Sequence, residues 1–140
     1  MDIYRSLIID LYKNPLNKRK IAGADISASG ANVTCGDRVR IYAKCQKNGK
    51  IKDISFEGLG CAISIASASL LTENAKGKSL KQILKWNKEN IFAWLGAELG
   101  HARIKCGLLA LETLQQGITS SSKTSSDFLY KASLKHLPTG

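Results

Sequence analysis

The stretch that decides the fold is Arg38–Cys45, which reads RVRIYAKC. Its apolar residues alternate with charged or polar ones, so one face of an extended strand would be buried and the other exposed to water. The dipeptide Asn48-Gly49 comes next and favours a tight hairpin turn. We expect a return strand over residues 50–57, with Ile54 and Phe56 facing inward. The pattern therefore predicts an antiparallel sheet.

Helical periodicity lies on both sides of this hairpin. Residues 2–13 carry apolar side chains at helical spacing, and Asn14-Pro15 ends that helix because the residue before a proline disfavours helical dihedrals. Residues 62–72 predict a helix of small residues that can pack closely on a sheet. A final amphipathic helix is expected from Arg103 to Ile118.

Two further segments give weaker or less regular signals. Residues 23–33 are rich in Gly, Ala and Ser and predict a thin strand. Residues 86–100 hold both tryptophans and predict a helical segment that packs on the core, loosened by Gly96 and Gly100. Between them, Ser79 is the expected N-cap of a short helix.

Length and composition favour one domain. The chain has 140 residues and 44% apolar content, enough for a hydrophobic core. No apolar run approaches the roughly 20 residues that span a bilayer, and the N-terminus lacks the pattern of a signal peptide, so a cytoplasmic protein without a membrane partner is expected. We assign the domain to residues 1–118, a Ser-rich linker to 119–126 and a short tail to 127–140.

The charge of the chain is strongly positive, with 21 Lys and Arg against 11 Asp and Glu. The cations are spread along the sequence, and the densest run, residues 17–20, has no interleaved aromatic residues. This distribution argues against nucleic acid as the partner and favours a solvated basic surface that can steer an acidic protein.

Four cysteines, Cys35, Cys45, Cys61 and Cys106, carry the chemical signal. In a chain without a secretion signal they argue against a disulfide framework, and without a CxxC pair they do not fit a zinc finger. Taken singly, each is more simply interpreted as a small buried residue. We accept that interpretation for Cys45, which falls on the inward face of the hairpin.

The other three cysteines and Asp37 form a candidate metal site. Cys35 and Asp37 are separated by one glycine, so in an extended segment both side chains point the same way. Cys61 and Cys106 are each expected near a helix N-terminus, where the thiolate is favoured, and Arg103 and Lys105 should lower the pKa of Cys106 further. Three thiolates and a carboxylate suit zinc or an iron–sulfur centre.

Alternatives stay open for the individual residues. Asp37 fits a turn or capping aspartate as well as it fits a ligand. His101 could be a metal or proton-transfer residue but is more typical of a surface histidine. Trp86 and Trp94 are more typical of core residues than of a recognition surface.

Several motifs together resemble one known family. They are Leu11–Asn17 (LYKNPLN), Thr34–Arg38 (TCGDR), Phe56–Ser64 (FEGLGCAIS) and Ala102–Cys106 (ARIKC). The chain resembles the IscU/SufU iron–sulfur cluster assembly proteins, the type of the NifU N-terminal domain. The resemblance implies an α+β fold, with a three-stranded antiparallel sheet and helices packed on one face. It also implies a site made of Cys35, Asp37, Cys61 and Cys106.

Within that family the motifs point in two directions. Lys105 stands where scaffold-type members have a histidine, and the run Arg103–Cys106 is similar to the SufU type, whose members bind zinc and accept sulfur. The 44 residues between Cys61 and Cys106 instead match the shorter spacing of the scaffold type.

The resemblance leads to two functional hypotheses. The first is a zinc-containing sulfurtransferase that accepts sulfur on Cys35 from a pyridoxal-phosphate cysteine desulfurase, with Arg103 pairing with Asp37 when that carboxylate leaves the metal. The second is a scaffold that assembles a 2Fe–2S cluster on the same four residues and hands it to recipient apo-proteins. A metal-stabilised interaction module without sulfur chemistry is a third hypothesis, from a different functional class.

Overall fold

A computed structural model describes residues 3–121 of the chain, which fold into three strands and five helices. The predicted tail 127–140 and most of the predicted linker lie outside the described residues. The elements follow in the order α1 (Ile3–Lys13), β1 (Ile26–Asn32), β2 (Asp37–Cys45), β3 (Ile51–Leu59), α2 (Ala62–Ala75), α3 (Leu80–Leu84), α4 (Lys88–Leu95) and α5 (His101–Ser120).

The sheet is antiparallel with the strand order β1-β2-β3, as the alternation in β2 predicts. Ile41 pairs with Ala28 on one side and with Phe56 on the other, and both Ile41 and Phe56 are completely buried. The turn between β2 and β3 contains Gly49 in the left-handed conformation (φ +83°). The hairpin prediction is therefore confirmed, and β2 is the central strand.

The helices cover the inward face of this sheet. Helix α2 packs on β3, and α5 packs on β1, on β2 and on α2. Strand β1 and α5 approach closely because glycines stand at the contact: a Cβ at Gly117 would lie 2.8 Å from the Cβ of Ala28. The α+β prediction, with helices on one face of a three-stranded sheet, is confirmed.

The segment 86–100 is not one helix, contrary to the sequence-based expectation. Asn87 caps α4 with its side chain, and Gly96 ends that helix in the left-handed conformation (φ +82°). Gly100 then becomes the N-cap of α5. The two glycines thus separate two helices instead of loosening one, since a left-handed residue after the last turn is a common way to end a helix. Trp86 and Trp94 contact each other edge to face, with ring centroids 4.9 Å apart, and pack against the core.

Helix α5 is longer than predicted at both ends. It begins at His101, two residues before Arg103, and it continues to Ser120, into the first residues of the predicted linker. The hydroxyl groups of Thr119 and Ser120 donate hydrogen bonds to the carbonyl groups of the preceding turn, so these residues fit a helix end. Among residues 3–121, no helix is both long enough and apolar enough to cross a bilayer.

Candidate metal centre

Cys35 lies in the tight turn between β1 and β2, not in an extended segment as the sequence analysis assumes. Its backbone N–H donates to the Asn32 carbonyl (3.1 Å), and the side-chain amide of Asn32 donates to its sulfur (3.5 Å). Gly36 adopts a left-handed conformation (φ +73°), and a Cβ there would meet nothing within 4 Å. Glycine is therefore favoured at this position by the backbone conformation and not by a lack of space. The thiol of Cys35 is exposed.

Asp37 is the first residue of β2, and only 1% of its surface is exposed. Its Oδ1 accepts a hydrogen bond from the Cys61 backbone N–H (3.1 Å), and its Oδ2 accepts one from the Ser64 hydroxyl (2.6 Å). The carboxylate therefore faces the N-terminus of α2, where the helix dipole stabilises a negative charge. These contacts with the start of α2 support the alternative interpretation of Asp37 as a capping aspartate, and its role as a metal ligand stays a prediction.

Cys61 is the N-cap of α2, and its side chain is exposed. Loss of water around the thiol would raise its pKa. The Ser64 hydroxyl, the backbone N–H groups of Ser64 and Ile63 and the thiol of Cys106 outweigh that effect, so the pKa of Cys61 lies below its ordinary value. The prediction of a cysteine at a helix N-terminus with a favoured thiolate is confirmed here.

Cys106 has the opposite environment. It is the sixth residue of α5, beyond the first turn, and it is buried. Burial raises the pKa of its thiol, and hydrogen bonds to Asp37, Cys35 and Cys61 raise it further. The expectation of a lowered pKa is wrong, because the helix begins five residues earlier and the side chains of Arg103 and Lys105 are exposed to water.

Three of the four predicted ligands converge. The ligand atoms of Cys35, Asp37 and Cys106 all lie within 4.8 Å of one another. The Cys106 thiol donates to the Cys35 sulfur across 3.7 Å. Two thiolates bound at about 2.3 Å to one tetrahedral zinc ion would lie about 3.8 Å apart, so this pair already has the separation that zinc requires. The donor set therefore fits a thiolate-binding metal ion.

The fourth predicted ligand, Cys61, lies at the rim of this cluster. Its thiol interacts with that of Cys106 but falls outside the group of residues within 4.8 Å of one another. Cys45 is half-buried at the far end of β2 and packs against the core, in agreement with its assignment as a core thiol.

Arg103 and His101 lie on the exposed surface of the first turn of α5. In residues 3–121 the Arg103 side chain makes no ion pair, and the Asp37 carboxylate is held by Cys61 and Ser64 instead. The predicted pairing of Arg103 with Asp37 is therefore absent from the described conformation and stays a prediction for a different state of the site.

Two residues of the site were missed by the sequence analysis. Ser64 donates to Asp37, and Gly60 leaves the space that Asp37 occupies: a Cβ at Gly60 would lie 2.9 Å from Asp37 Oδ1. The position of Ser64 in the sequence could have indicated its role. It is the third residue after the N-cap Cys61, so its side chain lies close to the N-terminus of the helix.

Comparisons with known proteins agree with this geometry. A sequence model of the family described as NifU-like N terminal domain matches residues 3–126. The iron-sulfur cluster assembly scaffold protein IscU 1 of Archaeoglobus fulgidus is 37% identical over 116 residues, covering 83% of this chain and 74% of that protein. The zinc-dependent sulfurtransferase SufU of Bacillus subtilis is 36% identical over 133 residues, covering 83% of this chain and 89% of that one.

A solved structure gives the same picture of the fold. The crystal structure of FiSufU, a protein assigned to the SUF system of Fervidobacterium islandicum AW-1, superposes with a TM-score of 0.66 at 33% identity. The match covers 80% of this chain and 93% of that one.

Proposed function

Because this chain belongs to the NifU-like N-terminal domain family, we propose that it works in iron–sulfur cluster biogenesis as a zinc-containing acceptor of sulfur from a cysteine desulfurase. The proposed zinc ligands are Cys35, Asp37, Cys61 and Cys106. The observation that carries the proposal is the convergence of two thiols and a buried carboxylate within 4.8 Å, with the two sulfurs 3.7 Å apart.

Zinc would supply positive charge that keeps the ligating thiols deprotonated. The Cys106 thiol needs this help most, because burial raises its pKa. Metal binding would therefore release its proton, and the affinity for zinc would rise with pH.

Cys35 is the proposed sulfur acceptor, since it is the exposed thiol of the converged set. Its thiolate attacks the terminal sulfur of a persulfide on the desulfurase. The new S–S bond forms on Cys35, the S–S bond of the donor breaks, and the donor cysteine departs as a thiolate. Nothing is oxidised or reduced overall, because one persulfide replaces another.

Asp37 is the proposed exchangeable ligand, and Arg103 its proposed partner once it leaves the metal. Arg103 lies one turn before Cys106 on α5, which places both residues on the same side of the helix. A guanidinium group on this side could approach a carboxylate that turns away from the thiols.

The surface around the exposed thiols fits the docking of a protein partner. Val33, two residues before Cys35, is 90% exposed, and Leu59, two residues before Cys61, is 72% exposed. A contiguous exposed apolar patch is typical of an interaction site, and these two residues would contribute apolar area to one. The partner proposed for this surface is the desulfurase, whose pyridoxal-phosphate chemistry would generate the persulfide.

A second candidate function is a scaffold that builds a 2Fe–2S cluster on the same residues for recipient apo-proteins. The spacing of the cysteines favours it. The match with SufU extends over 133 residues and that with IscU 1 over 116, although both cover 83% of this chain. SufU therefore has residues within the matched region that this chain lacks, and the matched region of this chain is closer in length to that of the scaffold protein.

The sulfur-acceptor role can be tested by substituting single thiols. We expect Cys35→Ala to abolish the transfer of sulfur from a desulfurase, measured as the mass gain of one sulfur atom on the acceptor and as the rate of alanine release from cysteine. Cys45→Ala is the matched control, because Cys45 lies at the other end of β2. Unchanged sulfur transfer to the Cys35→Ala variant would show that another thiol is the acceptor.

A further inference from the structure

Ser64 stands between two of the proposed metal ligands. It is the third residue of α2 and is 8% exposed. Its Oγ lies 2.6 Å from Asp37 Oδ2 and 3.5 Å from the Cys61 sulfur. The hydroxyl thus contacts Asp37 at the start of β2 and Cys61 at the start of α2.

The hydroxyl has a single proton to donate. The short contact with the carboxylate is a charge-assisted hydrogen bond, so Ser64 donates to Asp37. Towards the neutral Cys61 thiol the same oxygen then acts as the acceptor, whereas a Cys61 thiolate would compete with Asp37 for the hydroxyl proton. The three groups form one chain of hydrogen bonds, from Cys61 through Ser64 to Asp37.

Both oxygens of Asp37 are held by this end of α2. Oδ1 accepts from the Cys61 N–H, and Oδ2 accepts from Ser64. Gly60 closes the third side, since a Cβ there would lie 2.9 Å from Oδ1 and 3.1 Å from the Ser64 Cβ. The orientation of the carboxylate is therefore set by two donors and one steric limit, and each oxygen keeps a lone pair for a further partner.

We propose that Ser64 is a positioning residue of the metal centre: its hydroxyl holds the Asp37 carboxylate in its ligand orientation and links it to Cys61. This role rests on the proposed metal site but not on the choice between zinc and an iron–sulfur cluster, nor on sulfur transfer. Donors that orient ligating carboxylates commonly contribute 10- to 100-fold to metal affinity.

The test compares zinc affinity in three proteins by competition with a chromophoric chelator. We expect Ser64→Ala to weaken zinc binding by about 10- to 100-fold. Ser67→Ala is the matched control. It makes the same change one turn further along α2, at a residue that is 1% exposed and whose hydroxyl has no hydrogen-bond partner among the described residues. Its zinc affinity should equal that of the wild type.

Two further measurements separate positioning from general destabilisation. The absorption spectrum of the cobalt-loaded protein should change in Ser64→Ala but not in Ser67→Ala, because the carboxylate oxygen no longer has a fixed place among the ligands. In an Asp37→Ala background, Ser64→Ala should cause no additional loss of zinc affinity, since its effect passes through Asp37.

Each outcome bears on a definite claim. Zinc affinity and a cobalt spectrum in Ser64→Ala that match the wild type would overturn the role of Ser64 and leave the proposed metal site intact. An equal loss of affinity with and without Asp37 would also overturn it. A wild-type protein that binds neither zinc nor cobalt would overturn the metal site itself, and the role of Ser64 with it.

Discussion

Cys61 and Cys106 belong to one candidate site, but the two helices that carry them give the thiols opposite properties. Cys61 is the N-cap of α2 and is exposed, and its pKa is lowered by Ser64 and the first backbone N–H groups of the helix despite partial loss of water. Cys106 lies beyond the first turn of α5 and is buried, and its pKa is raised by that burial.

The comparison shows that position within a helix and burial matter more for a thiol than the charge of its neighbours in sequence. Arg103 and Lys105 precede Cys106, yet their exposed side chains do not offset its burial. Water screens exposed charges strongly, whereas the N–H groups at a helix start act at short range. The site therefore combines one readily ionised thiol with one that ionises only when something stabilises its charge.

The largest expected difference between Cys61 and Cys106 is in their contribution to zinc affinity. Cys106→Ser removes a member of the converged cluster and should weaken zinc binding by more than about 100-fold, beyond the range for residues that only support ligands. Cys61→Ser should weaken it less, because Cys61 lies at the rim. The measurement is chelator competition on both variants. Equal losses would show that Cys61 rotates fully into the ligand set on binding.

In the metal-free protein, the thiol of Cys61 should be more reactive than that of Cys106. A lowered pKa places more Cys61 in the reactive thiolate form at neutral pH, and a raised pKa leaves Cys106 protonated. Cys61 should therefore react with iodoacetamide faster than Cys106 at pH 7. Peptide mass spectrometry across pH 6–10 measures both rates, and a faster reaction at Cys106 would contradict this ordering.

A smaller difference is expected for the glycines beside the two cysteines. Gly60→Ala places a Cβ 2.9 Å from the fixed carboxylate of Asp37 and should lower the free energy of unfolding by about 1–3 kcal/mol. Gly107→Ala meets mainly the end of the Leu99 side chain, which can move. The gain in helix propensity, about 0.5–1 kcal/mol, should offset that cost. Denaturant unfolding of the metal-free variants checks both values, and equal destabilisation would contradict the tight packing around Asp37.

The fold was largely predictable because its signals are local. The alternation in Arg38–Cys45 and the Asn48-Gly49 turn specify the central hairpin, and both are confirmed. The error in residues 86–100 arose because Gly96 was interpreted as a weak point inside a helix, whereas it ends α4 in a left-handed conformation.

Three of the four predicted site residues converge in the structure, but their geometry was not predictable. The motif resemblance predicted four residues, whereas the turn at Gly36, the burial of Asp37 and the depth of Cys106 in α5 depend on contacts between distant segments. The pKa prediction for Cys106 was wrong because α5 begins at His101 and not at Arg103. Gly100 is a weak N-cap signal, and Arg103 gave no indication that the helix had already begun.

The most direct test of the central claim is the content of zinc, iron and acid-labile sulfide in the protein purified without oxygen. A zinc-containing sulfur acceptor predicts about one zinc per chain, held by one four-ligand site, and no sulfide. Iron with a matching amount of sulfide would contradict that claim and support the scaffold instead. A chain that takes up no metal even when zinc is supplied would contradict the metal site on Cys35, Asp37, Cys61 and Cys106 altogether.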